Sequence, residues 1–195
     1  MDLVDSVTER TTAATDAVLA VAALAALALA SVLGAVAHGL RLEPPTRELL
    51  WQPLYLSLGV TMALFVVGAV RDWRGERAAR RLLLPMLAVA AVFYGITWIT
   101  GGDFLAFVVY EAAALLFSLG VYLRLAAGRR RAGAGAMAAA LAVSLAAGGM
   151  QAMDVGVVRL LWEFDHNGLF HLIQLVGLAL LVAGLRRLLT VAEAG

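Results

Sequence analysis

Six times along this chain an apolar run returns, each close to the ~20 residues that an α-helix needs to cross the hydrocarbon core of a bilayer. The runs occupy roughly 17–40, 52–70, 82–100, 104–124, 133–151 and 168–186. No other feature restricts the fold as severely. Within hydrocarbon every backbone N–H and C=O must find its partner inside the chain, so runs of this length fold as helices. With 63% of its 195 residues hydrophobic and only 15% charged, the chain has too little polar surface to cover a soluble domain. The expected fold is all-α: a single integral-membrane domain over residues 1–195, a polytopic bundle of about six transmembrane helices plus a short interfacial helix.

The breaks between runs are legible. Pro44-Pro45 ends the first, "RDWRGERAARR" the second, "TGGD" the third and "RLAAGRRRAG" the fourth. The connector "DVGVVRLLWEFDHNG" carries apolar residues at helical spacing, which predicts an amphipathic helix lying along the interface. The first run lacks the basic n-region of a signal peptide: Asp2, Asp5, Glu9 and Asp16 precede or open it against Arg10 alone, so it is read as a retained span. Span five, almost entirely Ala, Gly and Ser, suits close helix–helix approach inside a bundle.

Arginine placement sets the expected orientation. Arg71, Arg74, Arg77, Arg80 and Arg81 follow span two; Arg124, Arg129, Arg130 and Arg131 follow span four; Arg186 and Arg187 close span six. Only Arg41, Arg47 and Arg159 fall in the other connectors. The positive-inside rule then makes both termini cytoplasmic. All basic residues are arginine, a composition that points to a GC-rich bacterial genome and so to a bacterial inner membrane. The net charge of +1 argues against a nucleic-acid partner, and the absence of cysteine removes disulfides and thiolate metal sites.

On that topology the polar residues collect toward one side. His38 closes span one, and His166 and His171 open span six. Trp51, Gln52 and Tyr55, Thr97 and Thr100, Asp103, Gln151 and Asp154, and Asp165, Asn167 and Gln174 share that side. Glu111 lies about eight residues into span four, roughly 12 Å below its start. A carboxyl so deep costs several kcal/mol unless it meets a partner or a wet cavity, which makes it a functional candidate, with Tyr110 beside it as a hydrogen-bond donor.

Simpler roles compete. Asp103, and either Asp165 or Asn167, have the position of helix N-caps. Trp51, Trp98, Tyr55 and Trp162 fit an interfacial aromatic belt. Ser31 and Ser144 are expected to bond to a carbonyl one turn back in their own helices. Taken together, however, three imidazoles on one side form the ligand set of a catalytic zinc, which takes three protein ligands and a water. A continuous helix would separate His166 from His171 by about 140°, too far for one metal. A helix starting at Asn167 or Gly168 would leave His166 on the preceding turn and free to bend back, with Asp165, Glu111 or Gln174 orienting the rings.

One histidine on an early span and a pair opening the last span resembles the CREST superfamily of membrane hydrolases, which includes the alkaline ceramidases and the adiponectin-receptor group. The pattern H-N-x3-H-x2-Q, here His166, Asn167, His171 and Gln174, is also similar to a bacterial family of small multi-span proteins. The resemblance implies a zinc held by three histidines that activates water against a lipid amide or ester, assisted by a serine and an aspartate. It covers the first and last spans. That superfamily has seven spans and a final H-x3-H pair. Gly34 stands where its serine would be, with Ser31 one turn further back, and Asp103 or Glu111 would replace an aspartate absent from span two.

The leading expectation is therefore a zinc-dependent hydrolase acting on a lipid, with His38, His166 and His171 on the metal, Glu111, Asp103 and Ser31 as catalytic groups, and Asp165, Asn167, Gln174 and Tyr110 around them. Two alternatives stand beside it: a small proton-linked transporter or relay using Glu111 and the histidines, and a structural or sensory membrane protein without metal.

Overall fold

The computed structural model describes residues 7–102, 104–129, 131–153, 157–159 and 163–192, with the side chains of 7–20, 104 and 188–192 left aside. Six helices are present: α1 (Val7–Gly39), α2 (Pro44–Arg74), α3 (Glu76–Ile99), α4 (Phe104–Ala127), α5 (Ala134–Gln151) and α6 (His166–Ala192). Each contains a stretch long and apolar enough to cross a membrane, so the protein is an all-α, multi-span membrane protein.

Several boundaries differ from expectation, α1 starting already at Val7 and α3 at Glu76. Pro44-Pro45 does not merely end the first span; it opens the second helix, eight residues ahead of the predicted 52. Proline suits the first helical turn, where its missing N–H has no intrahelical acceptor to lose. Among the described residues, the connector before span six does not form the expected interfacial helix. Val158–Arg159 and Glu163–Phe164 instead pair as antiparallel strands β1 and β2, in register Val158↔Phe164 and Arg159↔Glu163. The β-branched run Val157-Val158 favours an extended chain, and Arg159 forms an ion pair with Glu163 across the ladder.

Glycine makes the sharp turns. Between α2 and α3 a single residue, Gly75 at φ +86°, reverses the chain, and its N–H still bonds to the Arg71 carbonyl at 2.8 Å. Gly101 and Gly102 do the same after α3, at φ +68° and +82°. Such left-handed backbone is open to glycine at little cost.

The chain divides into two compact units, one of Met1–Phe65 with Leu82–Phe107, the other of Val66–Arg81 with Val108–Gly195. The first is cored by rings. Trp51 lies 5.5 Å from Tyr55, Tyr55 6.4 Å from Phe93, and Phe93 6.1 Å from Phe107. Gly59 leaves room for the Phe93 ring, whose Cδ1 would be 2.9 Å from a Cβ there. Tyr55 is 3% exposed and donates its hydroxyl to the Gly102 carbonyl at 2.7 Å. Tyr55 is thus a core residue, not part of an interfacial belt, whereas Trp98 is exposed as a belt residue should be.

The second unit is cored by small residues. α5 buries Ala134, Ala138, Ala140 and Ala147 with Met137 and Leu141, and packs on α6, as its composition predicts. A Cβ on Gly184 would stand 2.9 Å from Met137, and one on Gly133 only 2.4 Å from the Gly184 carbonyl oxygen. The two helix backbones approach as closely as glycine allows.

Candidate functional site

In the second unit α6 begins at His166, earlier than the expected Asn167 or Gly168. Its cap is Asp165: Oδ1 accepts from the Gly168 N–H at 2.8 Å, and the Asp165 carbonyl accepts from Leu169 N–H at 3.0 Å. The side-chain oxygen thereby takes one of the orphan donors of the first turn. Asn167 is not the cap. Its Oδ1 accepts from Gln151 Nε2 at 2.6 Å, so it ties the end of α5 to the start of α6.

With His166 inside the helix, His166 and His171 are separated by about 140° of rotation and cannot bend together from a preceding turn. Asn167, His171 and Gln174, spaced four and three residues apart, instead share one stripe of α6 from which His166 is turned away. His171 is exposed and lies edge-on to Phe170, with ring centroids 5.1 Å apart. Gln174 is half-buried, and its Oε1 has no hydrogen-bond partner among the described residues.

His38 belongs to the first unit. It is exposed in the last turn of α1 and meets Trp51 edge-to-face at 5.6 Å. Among the described residues, no group of three or more His, Asp or Glu side chains is gathered in a way that would hold a metal ion. The histidine pair as placed does not fit two ligands of one zinc, and no chemical step follows through that metal. Ser31 makes the bond expected of it within its own helix: it is exposed and its Oγ donates to the Leu27 carbonyl at 2.9 Å. Thr97 and Thr100 are likewise spent on the carbonyls of Tyr94 and Ile96, at 2.7 and 3.0 Å. Asp103, Asp154 and Trp162 lie outside the described residues.

Glu111 stands apart from all of these. It sits on α4 about 10 Å along from Phe104 at the helical rise, inside the span Leu105–Ala127. It is half-buried, yet makes no hydrogen bond or ion pair with any described residue, so Tyr110 is not the donor expected. Within the next two turns, Ala114, Leu115 and Ser118 are buried, and Ser118 Oγ also lacks a described hydrogen-bond partner.

Other polar contacts escaped the reading of the sequence. At the arginine-rich end of this unit Tyr122, 3% exposed, donates to Asp72 Oδ2 at 2.8 Å. Asp72 is the lone carboxylate within "RDWR", and that isolation was the available signal. Glu76 pairs with Arg71 at 3.1 Å and with Arg80 at 2.6 Å.

These features define a class, a polytopic all-α membrane protein with a carboxyl inside one span and a polar stripe opening the last. Its residues 8–190 match the model described as "Family of unknown function (DUF6962)", and the chain belongs to that family. No curated protein and no solved structure matches it.

Proposed function

We propose that this chain is a proton-linked membrane protein, a small transporter or relay, in which Glu111 takes up a proton from one side of the bilayer and releases it to the other. The observation that carries the reading is Glu111 itself: a half-buried carboxyl within a span, with no cation or hydrogen-bond donor among the described residues. An intramembrane carboxyl of that kind is expensive to keep and is a functional group by default. Neither a cap nor a structural salt bridge accounts for it. The Asn167–His171–Gln174 stripe, with the open Gln174 Oε1, supplies polar groups on α6 suited to a permeating proton carrier or polar solute. His166 and His171 diverge on one helix, which disfavours the alternative of zinc-dependent lipid hydrolysis.

The test is proton movement into proteoliposomes loaded with a pH-sensitive dye. Wild type should collapse an imposed pH gradient at least about tenfold faster than Glu111→Gln, which keeps the shape and loses the titrating group. Equal rates in the two proteins, or none above empty vesicles, would overturn the proposal. The accompanying placement is a bacterial inner membrane with both termini cytoplasmic, supported by the arginines after α2, α4 and α6. Reporters inserted after Arg74 and Arg129 should then read cytoplasm and one at Leu49 the outside; a cytoplasmic signal at Leu49 contradicts it.

A further inference from the structure

The arginine-rich end of the second unit contains more charge organisation than topology alone requires. Trp73, half-buried at the end of α2, carries two guanidiniums: Arg74 Cζ lies 4.1 Å from its ring centroid and Arg124 Cζ, from α4, 6.0 Å. Both arginines are exposed, and neither pairs with a described carboxylate. The acidic groups nearby are already committed. Asp72 accepts from Tyr122, and Glu76 holds Arg71 and Arg80. Two cations are thereby brought to one indole without a counter-ion among the described residues. The indole face offsets part of their charge, but their mutual repulsion remains until an anion joins them.

We infer that Trp73, Arg74 and Arg124 form a binding site for the phosphate of an anionic phospholipid. The position selects a lipid. Arg74 is the last residue of α2 and Arg124 lies in the last turn of α4, so the site sits where two membrane-crossing helices end, at headgroup level. The chemistry selects a phosphate. A guanidinium presents a planar fork of donors that matches phosphate oxygens in pairs, and stacking on an aromatic ring fixes that fork in advance. An ammonium at either position would supply charge without the fork. Arg77 and Arg81, on the adjoining turn of α3, add the same sign of charge but meet no ring among the described residues, and serve as an internal control.

The inference is independent of Glu111, so either reading can fail alone. It is tested by native mass spectrometry of the purified full chain in micelles holding equal phosphatidylglycerol and phosphatidylcholine. Wild type should retain phosphatidylglycerol preferentially. The double variant Arg74→Gln/Arg124→Gln should lose that preference by about tenfold or more, and Trp73→Leu, which removes no charge, by several-fold. Arg74→Lys/Arg124→Lys should also weaken it, while Arg77→Gln/Arg81→Gln should stay within about twofold of wild type. Should the glutamine double variant fail to fold, as judged by its melting in phosphatidylcholine micelles, the lysine and Trp73 variants carry the test. Equal loss in the Arg77/Arg81 control would reduce the site to a diffuse basic patch and overturn the inference, as would an unchanged preference in Trp73→Leu and the lysine pair. Displacement of the lipid by micromolar soluble glycerol phosphate would assign the site to a soluble phosphate and overturn it equally; resistance at millimolar concentration is the expected result.

Discussion

The two compact units handle polar atoms in opposite ways. In the first, hydroxyls are consumed by the backbone. Ser31 bonds to Leu27, Ser57 to Pro53, Thr61 to Ser57, Thr97 to Tyr94 and Thr100 to Ile96, each a carbonyl three or four residues back. Tyr55 bonds to Gly102, and among these described groups Gln52 Oε1 is the exception left without a partner. In the second unit polar side chains meet one another, as in Gln151–Asn167 and Tyr122–Asp72, or meet nothing described, as at Glu111, Ser118 Oγ and Gln174 Oε1. A hydroxyl folded back on its own helix is structurally inert, and it adds little to association between helices. A polar group left open in an apolar surrounding costs stability, and it persists where function requires it. On the proposed function, the contrast assigns proton exchange to the second unit and scaffold to the first.

The contrast extends to packing, and that is where the largest effect is expected. Gly133→Ala places a Cβ 2.4 Å from a backbone oxygen at a left-handed φ of +82°, so neither neighbour nor backbone can yield cheaply. It should lower stability by about 3 kcal/mol, read as a fall in the detergent melting midpoint. Gly59→Ala in the first unit meets only the edge of the Phe93 ring, which can turn, and should cost about 1 kcal/mol. Equal costs would erase the distinction between a small-residue interface and a ring core.

Next in size is Tyr55→Phe, which keeps the ring stack and removes the bond to Gly102. A loss of about 1 kcal/mol in the same melt is expected, with proton flux unchanged. Loss of flux would move function into the first unit and break the comparison. Of the same size is Asp165→Ala, about 1 kcal/mol for the lost cap, and smaller is Asn167→Ala, about 0.6 kcal/mol for the lost tie between α5 and α6. If Asn167→Ala costs more than Asp165→Ala, the assignment of the cap is wrong.

The helices themselves were legible because hydrocarbon leaves a chain no alternative, and four of the six begin within two turns of their apolar runs, while α1 and α2 start earlier, at Val7 and Pro44. α2 was shortened because Pro44-Pro45 was read as a stop, although proline opens a helix as readily as it ends one. The described part of the connector before α6 departs from the expected helix because β-branched Val157 and Val158 favour an extended chain. At the site, Glu111 was visible from depth alone, and the Asp165 cap and the self-bonded Ser31 from residue type. The histidine grouping was not decided by sequence, since a one-residue shift in where α6 starts determines whether His166 can reach His171. Tyr122–Asp72 and the Trp73 stack were invisible for a different reason: their partners are some fifty residues apart and follow no periodicity.

The central claim is that Glu111 exchanges a proton while embedded in a span. Infrared difference spectroscopy of the reconstituted protein after a pH jump reads that event directly, through the carboxylic C=O stretch. The account predicts a reversible band that disappears in Glu111→Gln and survives in Asp165→Ala. A spectrum in which Glu111→Gln is indistinguishable from wild type would contradict it.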